Sequence, residues 1–218
     1  MIRALILDFD GTIVDSETPE GVAWSQVYAE HGHELDLAAV HAGAGHVGTQ
    51  YDAAHRLAAL LGDPSRSDEL LEAQRGIYRV LVEAEPIRPG ILRWLDEAHA
   101  LDWRTAVASS SRRAWVVPHL ERLGLLADLD AVCCGDEVEH PKPSPDVYLL
   151  AASRLGIEPG AALAVEDSVH GSIAAEAAGM RVVVTPNPST AHQPWPDHYQ
   201  HVDPTAVGLR ELAASYAD

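Results

Sequence analysis

Five short apolar runs constrain this chain more than any other feature. They lie at 4–9, 105–109, 131–134, 163–166 and 182–185, and none alternates cleanly between apolar and polar residues. A strand with one wet face alternates, whereas a strand covered on both faces does not. Helical periodicity follows the runs at 90–100, 112–123, 145–155 and 168–178, and a last helix is expected over 204–216. This strand-then-helix order predicts an α/β protein with a doubly wound parallel sheet.

The stretch 15–86 breaks that order, because it contains no convincing strand. Trp24, Val27, Tyr28 and His31 fall at helical spacing, as do Ala54, Leu57, Ala58 and Leu61, then Leu70, Ala73, Ile77 and Leu81. Gly32, Gly62-Asp63-Pro64 and Pro86 punctuate them. The predicted organisation is an α/β core formed by 1–14 and 87–218, with an α-helical cap domain inserted over 15–86. Open α/β sheets bind ligands at the carboxyl ends of their strands, so an insert placed directly after the first strand is expected to lie over the site as a lid. The segment 186–204, with five prolines, reads as an irregular loop.

Charge narrows the function classes. Against 33 acidic residues stand 15 basic ones, a formal net charge of −18 over 218 residues. That balance argues against nucleic acid as a partner, since phosphate backbones need a basic face. No apolar run approaches the roughly 20 residues of a membrane span, and the first residues lack the pattern of a signal peptide. Cys133 and Cys134 are adjacent, a poor framework for disulfides, so the expected setting is a reducing cytoplasm. Fourteen of the 15 basic residues are Arg, and the single lysine is Lys142. A compact ammonium at that position differs from a guanidinium in shape and donor geometry.

Four strings at successive strand ends carry the chemistry. In Asp8-Phe9-Asp10-Gly11-Thr12 two carboxylates at i and i+2 share one side of extended chain, and the glycine permits a tight turn. By itself the same string also closes a strand with an Asp-Gly turn. Ser109-Ser110-Ser111 precedes a helix, where serine serves equally as an N-cap or as part of an anion site. In Glu139-His140-Pro141-Lys142-Pro143-Ser144-Pro145 three prolines stiffen the backbone around Lys142. Glu166-Asp167 ends the fourth run, where paired acids either hold a cation or open a helix. Hard oxygen ligands favour Mg2+ over zinc. All four strings close strand–helix junctions and so share one rim of the sheet. An acid pair, a hydroxyl, a lysine and a second acid pair are the set that Mg2+-assisted phosphoryl transfer through an aspartyl-phosphate requires.

On these four motifs, in this order, the chain resembles the haloacid dehalogenase superfamily, in the branch of helical-cap phosphatases and β-phosphoglucomutase-like enzymes. The resemblance implies a Rossmann-like core and a phosphoric monoester hydrolase. It implies Asp8 as nucleophile and Asp10 as general acid and then base. Ser109 and the Ser110 amide would bind the phosphoryl group, and Lys142 would neutralise charge on it and on Asp8. Mg2+ would be held by Asp8, the carbonyl of Asp10 and Asp167, with Glu166 a direct ligand or one step removed. Asp10 favours an oxygen leaving group, which needs a proton, over a halide, which does not.

Hydrolysis and phosphomutase activity divide on the cap. A sugar phosphomutase must grip a second phosphate with cations. The mutases this chain resembles carry a His in the first cap helix and a Lys and an Arg in the cap loop. Here the helix position is Glu20, and the loop His41-Ala42-Gly43-Ala44-Gly45-His46-Val47-Gly48 contains neither Lys nor Arg. Arg56 is the nearest basic residue. Glu20, Gly45, His46 and Arg56 are the cap residues expected near substrate, with hydrolysis preferred and a mutase the alternative. A non-catalytic interaction protein on the same fold is the remaining reading. The expected partner is a small phosphorylated metabolite, and the expected assembly a monomer or weak homodimer.

Overall fold

The computed structural model describes residues 1–41 and 52–216. Six parallel strands form one sheet in the order β3-β2-β1-β4-β5-β6. They are β1 (Ala4–Leu7), β2 (Arg104–Ala108), β3 (Ala131–Cys133), β4 (Ala162–Glu166), β5 (Arg181–Val184) and β6 (Gln200–His201). The first five coincide with the five apolar runs. The sixth lies inside the stretch read as an irregular loop: Gln200 and His201 pair with Val183 and Val184. At two residues β6 is too short for a sequence pattern, and its extended form is set by the edge of β5.

The buried strands alternate after all, in size and not in polarity. Leu5, Leu7, Val107, Leu163 and Val165 face one side, while Ala4, Ala106, Ala108, Ala162 and Ala164 face the other, with Ile6 the one large residue among them. The large side chains pack against α5 (Ile91–Ala100), α6 (Arg113–Arg122) and α9 (Leu209–Ala214). The alanines receive α7 (Asp146–Leu155) and α8 (Val169–Ala177), which carry Ala151, Ala152, Ala174 and Ala175 into the same cluster. Small residues on facing surfaces bring these two helices close to the sheet, which places their first turns against the strand ends.

The last helix is shorter than its expected 204–216. Asp203 accepts from the Thr205 amide and hydroxyl and folds 203–207 as a turn, and α9 begins only where Glu97 of α5 accepts from the Leu209 amide.

Between β1 and α5 run α1 (Glu17–Glu30), α2 (Leu37–His41), α3 (Ala53–Leu60) and α4 (Ser67–Ala84). Trp24, Val27, Tyr28, Leu57, Ala58 and Leu70 bury one another in a cluster separate from the two sheet faces. The Tyr28 hydroxyl donates to the Ala53 carbonyl at 2.9 Å. Asp15 opens α1 by accepting from the Thr18 amide at 3.0 Å. A β-bridge between Val14 and Ile87 joins the two chain segments that lead into and out of this group of helices. Among the described residues no helix is long and apolar enough to cross a membrane.

The close fit of α7 and α8 makes the alanine face intolerant of bulk. Ala164→Leu is expected to lower stability by about 1–3 kcal/mol, read as a reduced midpoint in urea unfolding.

Candidate active site

The order of strands reverses between β1 and β4, the position at which doubly wound sheets open a crevice. Asp8 follows β1, and Glu166 and Asp167 end β4, so three carboxyls meet there. The single lysine arrives from the loop after β3. Its ammonium donates to Asp8 Oδ1 at 2.5 Å, Glu166 Oε1 at 2.6 Å and the Ala108 carbonyl at the end of β2 at 2.9 Å. Three donors thus find three acceptors, with the side chain buried. The loop is pinned from below by Asp146, which bonds His140 Nδ1 at 3.0 Å and accepts from the Ser144 hydroxyl at 2.6 Å.

Glu166 is held as firmly. The Tyr148 hydroxyl donates to its Oε1 at 2.6 Å, and the Asp167 amide and Ser168 hydroxyl reach its Oε2 at 3.2 Å. Ser168 also caps α8 by accepting from the Gly171 amide at 3.2 Å. A Cβ at Gly171 would stand 1.9 Å from the Glu166 carboxyl, so this first turn requires glycine. Asp167 Oδ2 accepts from Asn187 Nδ2 at 2.8 Å. Asn187 is fixed in turn by accepting from the Ser189 and Thr190 amides at 2.8 and 3.0 Å.

Gly11 serves two needs at once. Its φ is +81°, and a Cβ there would fall 2.1 Å from Asp167 Oδ2. Its carbonyl accepts from Arg88, whose guanidinium also holds the Thr185 carbonyl at 2.9 Å.

The serine string is arranged differently from a simple cap. Ser109 Oγ accepts from the Ser111 amide at 3.0 Å, and the first amide of α6, that of Arg113, is capped at 2.9 Å by Asp136 from the loop after β3. With the helix capped from elsewhere, Ser110 is left lining the cavity. Gly135 packs so closely beneath it that a Cβ would lie 2.1 Å from the Ser110 carbonyl.

A cavity of ≈ 410 Å³ opens above these groups. Asp8, Asp10, Ser109, Ser110, Lys142 and Asp167 all line it, so the expected core residues are brought together. Glu166 lies buried beneath, against Lys142. Of the expected cap residues, Glu20 lines the cavity beside Glu17, both in the first turn of α1. Desolvation in this concavity raises the Glu20 carboxyl above the usual range. Arg56 is not brought there: Ala53, Ala54, Leu57 and Ala58 turn inward on α3, and Arg56 lies exposed on its outer side. Gly45 and His46 fall outside the described residues.

Several contributors carry no motif. Tyr148 donates to Glu166 and Asn187 to Asp167, Arg88 holds the carbonyls of Gly11, Thr185 and Pro186 beside them, and Trp115 donates to Asp10. Asn187-Pro188-Ser189-Thr190 has the look of an Asx turn, a signal that a stricter reading of the proline-rich loop would have caught. The other three resemble ordinary packing or surface residues in sequence.

Burial drives the electrostatics. Desolvation pushes the Asp8 carboxyl up to about 8, with Lys142 pulling it down and Glu166 and Asp10 pushing it further up. Asp167 is raised well above its ordinary range for the same reason, reinforced by Asp8 and Glu166. Desolvation disfavours the Lys142 ammonium, but Asp8 and Glu166 outweigh it and hold it protonated. Lys142 pairs with Asp8 and Glu166, and the third carboxyl, Asp167, is bonded by Asn187, so ionising all three together calls for further positive charge. Asp8, Glu166 and Asp167 each offer an oxygen within 4.8 Å of the others. A hard divalent cation fits this donor set by charge and by ligand type.

A buried carboxyl crevice at the reversal point of a doubly wound sheet, served by one lysine, places the site of a Rossmann-like α/β protein at its strand ends. The family model for haloacid dehalogenase-like hydrolases matches residues 2–179, and the chain belongs to that family. It is 40% identical over 205 residues to YhcW of Bacillus subtilis, covering 92% of this chain and 90% of that protein. It is 33% identical over 187 residues to the fructose-1-phosphate phosphatase YqaB of Escherichia coli, covering 82% and 94%. The crystal structure of CbbY from Rhodobacter sphaeroides in complex with xylulose-(1,5)bisphosphate superposes with a TM-score of 0.73 at 27% identity, covering 97% of this chain and 99% of that one.

The raised Asp8 carboxyl makes stability depend on pH. A group whose pKa rises from 3.8 to about 8 on folding contributes stability that is complete below about pH 4 and lost as pH climbs through 8. In EDTA the melting temperature is expected to fall between pH 6 and 9, and Asp8→Asn to flatten that fall. Mg2+ is expected to raise the melting temperature more at pH 8 than at pH 6. An equally steep fall in the variant would contradict the assignment.

Proposed function

We propose that the protein is a Mg2+-dependent phosphatase that hydrolyses a small sugar or polyol phosphate through a phosphorylated Asp8. The observation that carries this reading is the Lys142 ammonium, shared between Asp8 and Glu166 in the cavity that Asp10, Ser109 and Ser110 also line.

Lys142 occupies Asp8 Oδ1, which leaves Oδ2 as the attacking oxygen. As the Oδ2–phosphorus bond forms, the bond from phosphorus to the sugar oxygen breaks, and Asp10 delivers a proton to that oxygen. The Ser109 hydroxyl and the Ser110 amide hold phosphoryl oxygens, and Lys142 offsets charge on them and on Asp8. Asp10, now ionised, takes a proton from water as the water oxygen bonds to phosphorus and the Oδ2–phosphorus bond breaks. Inorganic phosphate leaves and Asp8 is regenerated.

Asp8, Asp167 and the Asp10 carbonyl would hold Mg2+. Glu166, with four donors already on its two oxygens, acts by fixing Lys142 and the Asp167 amide. The chemistry supplied by bound Mg2+ is positive charge that keeps the buried carboxyls ionised and offsets the phosphoryl oxygens.

Helices α1–α4, within the span 15–86, act in this reading as the cap that selects the leaving group. Glu17 and Glu20 suit sugar hydroxyls and oppose a second phosphate, which favours hydrolysis over mutase chemistry. Related proteins named for fructose 1-phosphate and hexitol phosphates support the sugar-phosphate class. The free, buried Cys133 and Cys134 accord with a reducing cytoplasmic setting.

Phosphate release from sugar and polyol phosphates, with Mg2+ or EDTA, tests the proposal. Turnover that needs Mg2+ and falls at least about 1,000-fold in Asp8→Asn is expected. Conversion of β-glucose 1-phosphate to glucose 6-phosphate without free phosphate would overturn hydrolysis in favour of the mutase.

A further inference from the structure

Asp10 is held by two side chains from outside its own motif, and one of them, Trp115, no motif announces. The Trp115 indole donates to its Oδ1 at 3.0 Å and the Ser111 hydroxyl to its Oδ2 at 2.6 Å. Trp115 is itself clamped. Tyr78 of α4 stacks on it with ring centroids 5.8 Å apart and planes 16° from parallel. His119, one turn along α6, meets it edge-on at 4.3 Å, and His119 reaches Phe9 at 6.1 Å, the residue between Asp8 and Asp10. An unbroken row of rings therefore runs from the helices over the site to the strand end that carries both aspartates.

The two donors on Asp10 are not equivalent. An indole N–H can only donate, so Oδ1 must remain an acceptor while that contact lasts. A hydroxyl both donates and accepts, so Ser111 tolerates either state of Oδ2. The indole thus fixes the plane of the carboxyl and assigns the mobile proton to Oδ2.

We propose that Trp115 is a positioning residue that orients the Asp10 carboxyl for proton transfer to the leaving oxygen, and that Tyr78 couples this orientation to the seating of α4. The proposal rests on the phosphatase reading above. Its signature is dependence on the leaving group: an alkoxide needs a proton as it departs, whereas a nitrophenolate leaves without one.

The experiment compares a sugar phosphate with p-nitrophenyl phosphate in wild type, Trp115→Phe and Tyr78→Leu. Trp115→Phe retains an aromatic ring and loses the donor. It is expected to lower kcat/KM, which reports formation of phospho-Asp8 and not its hydrolysis, about 10–100-fold on the sugar phosphate, and to leave kcat/KM on the aryl phosphate within about threefold. Tyr78→Leu keeps the donor and removes the stack, and a smaller loss with the same dependence on leaving group is expected. It carries the test alone if thermal unfolding shows that Trp115→Phe does not fold. Equal losses in kcat/KM on both substrates, or none on either, overturn the positioning role and leave the phosphatase reading standing. Wild-type protein without Asp8-dependent turnover overturns that reading, and the positioning role with it.

Discussion

One ammonium ties the site together. Lys142, from the loop after β3, bonds Asp8 after β1, the last carbonyl of β2 and Glu166 at the end of β4. Four strand ends are thereby fixed against one another by a single side chain. Its removal would leave buried carboxyls unpaired, a change that typically costs about 3–5 kcal/mol. An arginine does not substitute, because its planar fork cannot point three donors from one atom. In a chain that otherwise uses only arginine for positive charge, that geometric demand accounts for the exception.

The packing of the sheet serves the same end. The alanine face of β1, β2 and β4 lets α7 and α8 approach closely. From that distance Tyr148 of α7 reaches Glu166, and the first turn of α8 slides beneath it at Gly171. Larger residues on this face would hold both helices away and leave the Glu166 carboxyl short of partners. On these three strands Ile6 is the one large side chain on this face, and Leu5, Leu7, Val107, Leu163 and Val165 lie on the other. Size alternation in the core is therefore what allows a dense polar network at the rim.

The fold and the centre of the site were legible because both depend on local features. Apolar runs and helical periodicity report burial directly, and acidic, serine and lysine residues stand out where strands end. Residues that act across the fold were not legible. Trp115 reads as one more aromatic on a helix, and Arg88 as a surface charge before a proline; each owes its role to a partner dozens of positions away. The serine string left cap and anion site equally open for a related reason, since the first amide of α6 is met by Asp136 from a neighbouring loop. The edge strand β6 exists only as a complement to β5. Arg56 drew attention for its charge, while its direction was decided by the four inward residues of its helix.

Asp8 and Asp10 show how two like groups, two residues apart, can be set to different work. Asp8 lies buried, gripped by an ammonium and flanked by two more carboxyls, so its charge is costly without cations and its geometry is rigid. Asp10 is half exposed and held by neutral donors, one of which can reverse its role. A group placed among fixed charges suits bond formation at a defined point. A group held by an indole and a hydroxyl suits the gain and loss of a proton, because neither partner needs to move or change its charge when the proton goes. The difference arises from the environments alone, which the chain supplies from the loops after β2 and β3, the end of β4 and α6, and not from the motif that contains both aspartates.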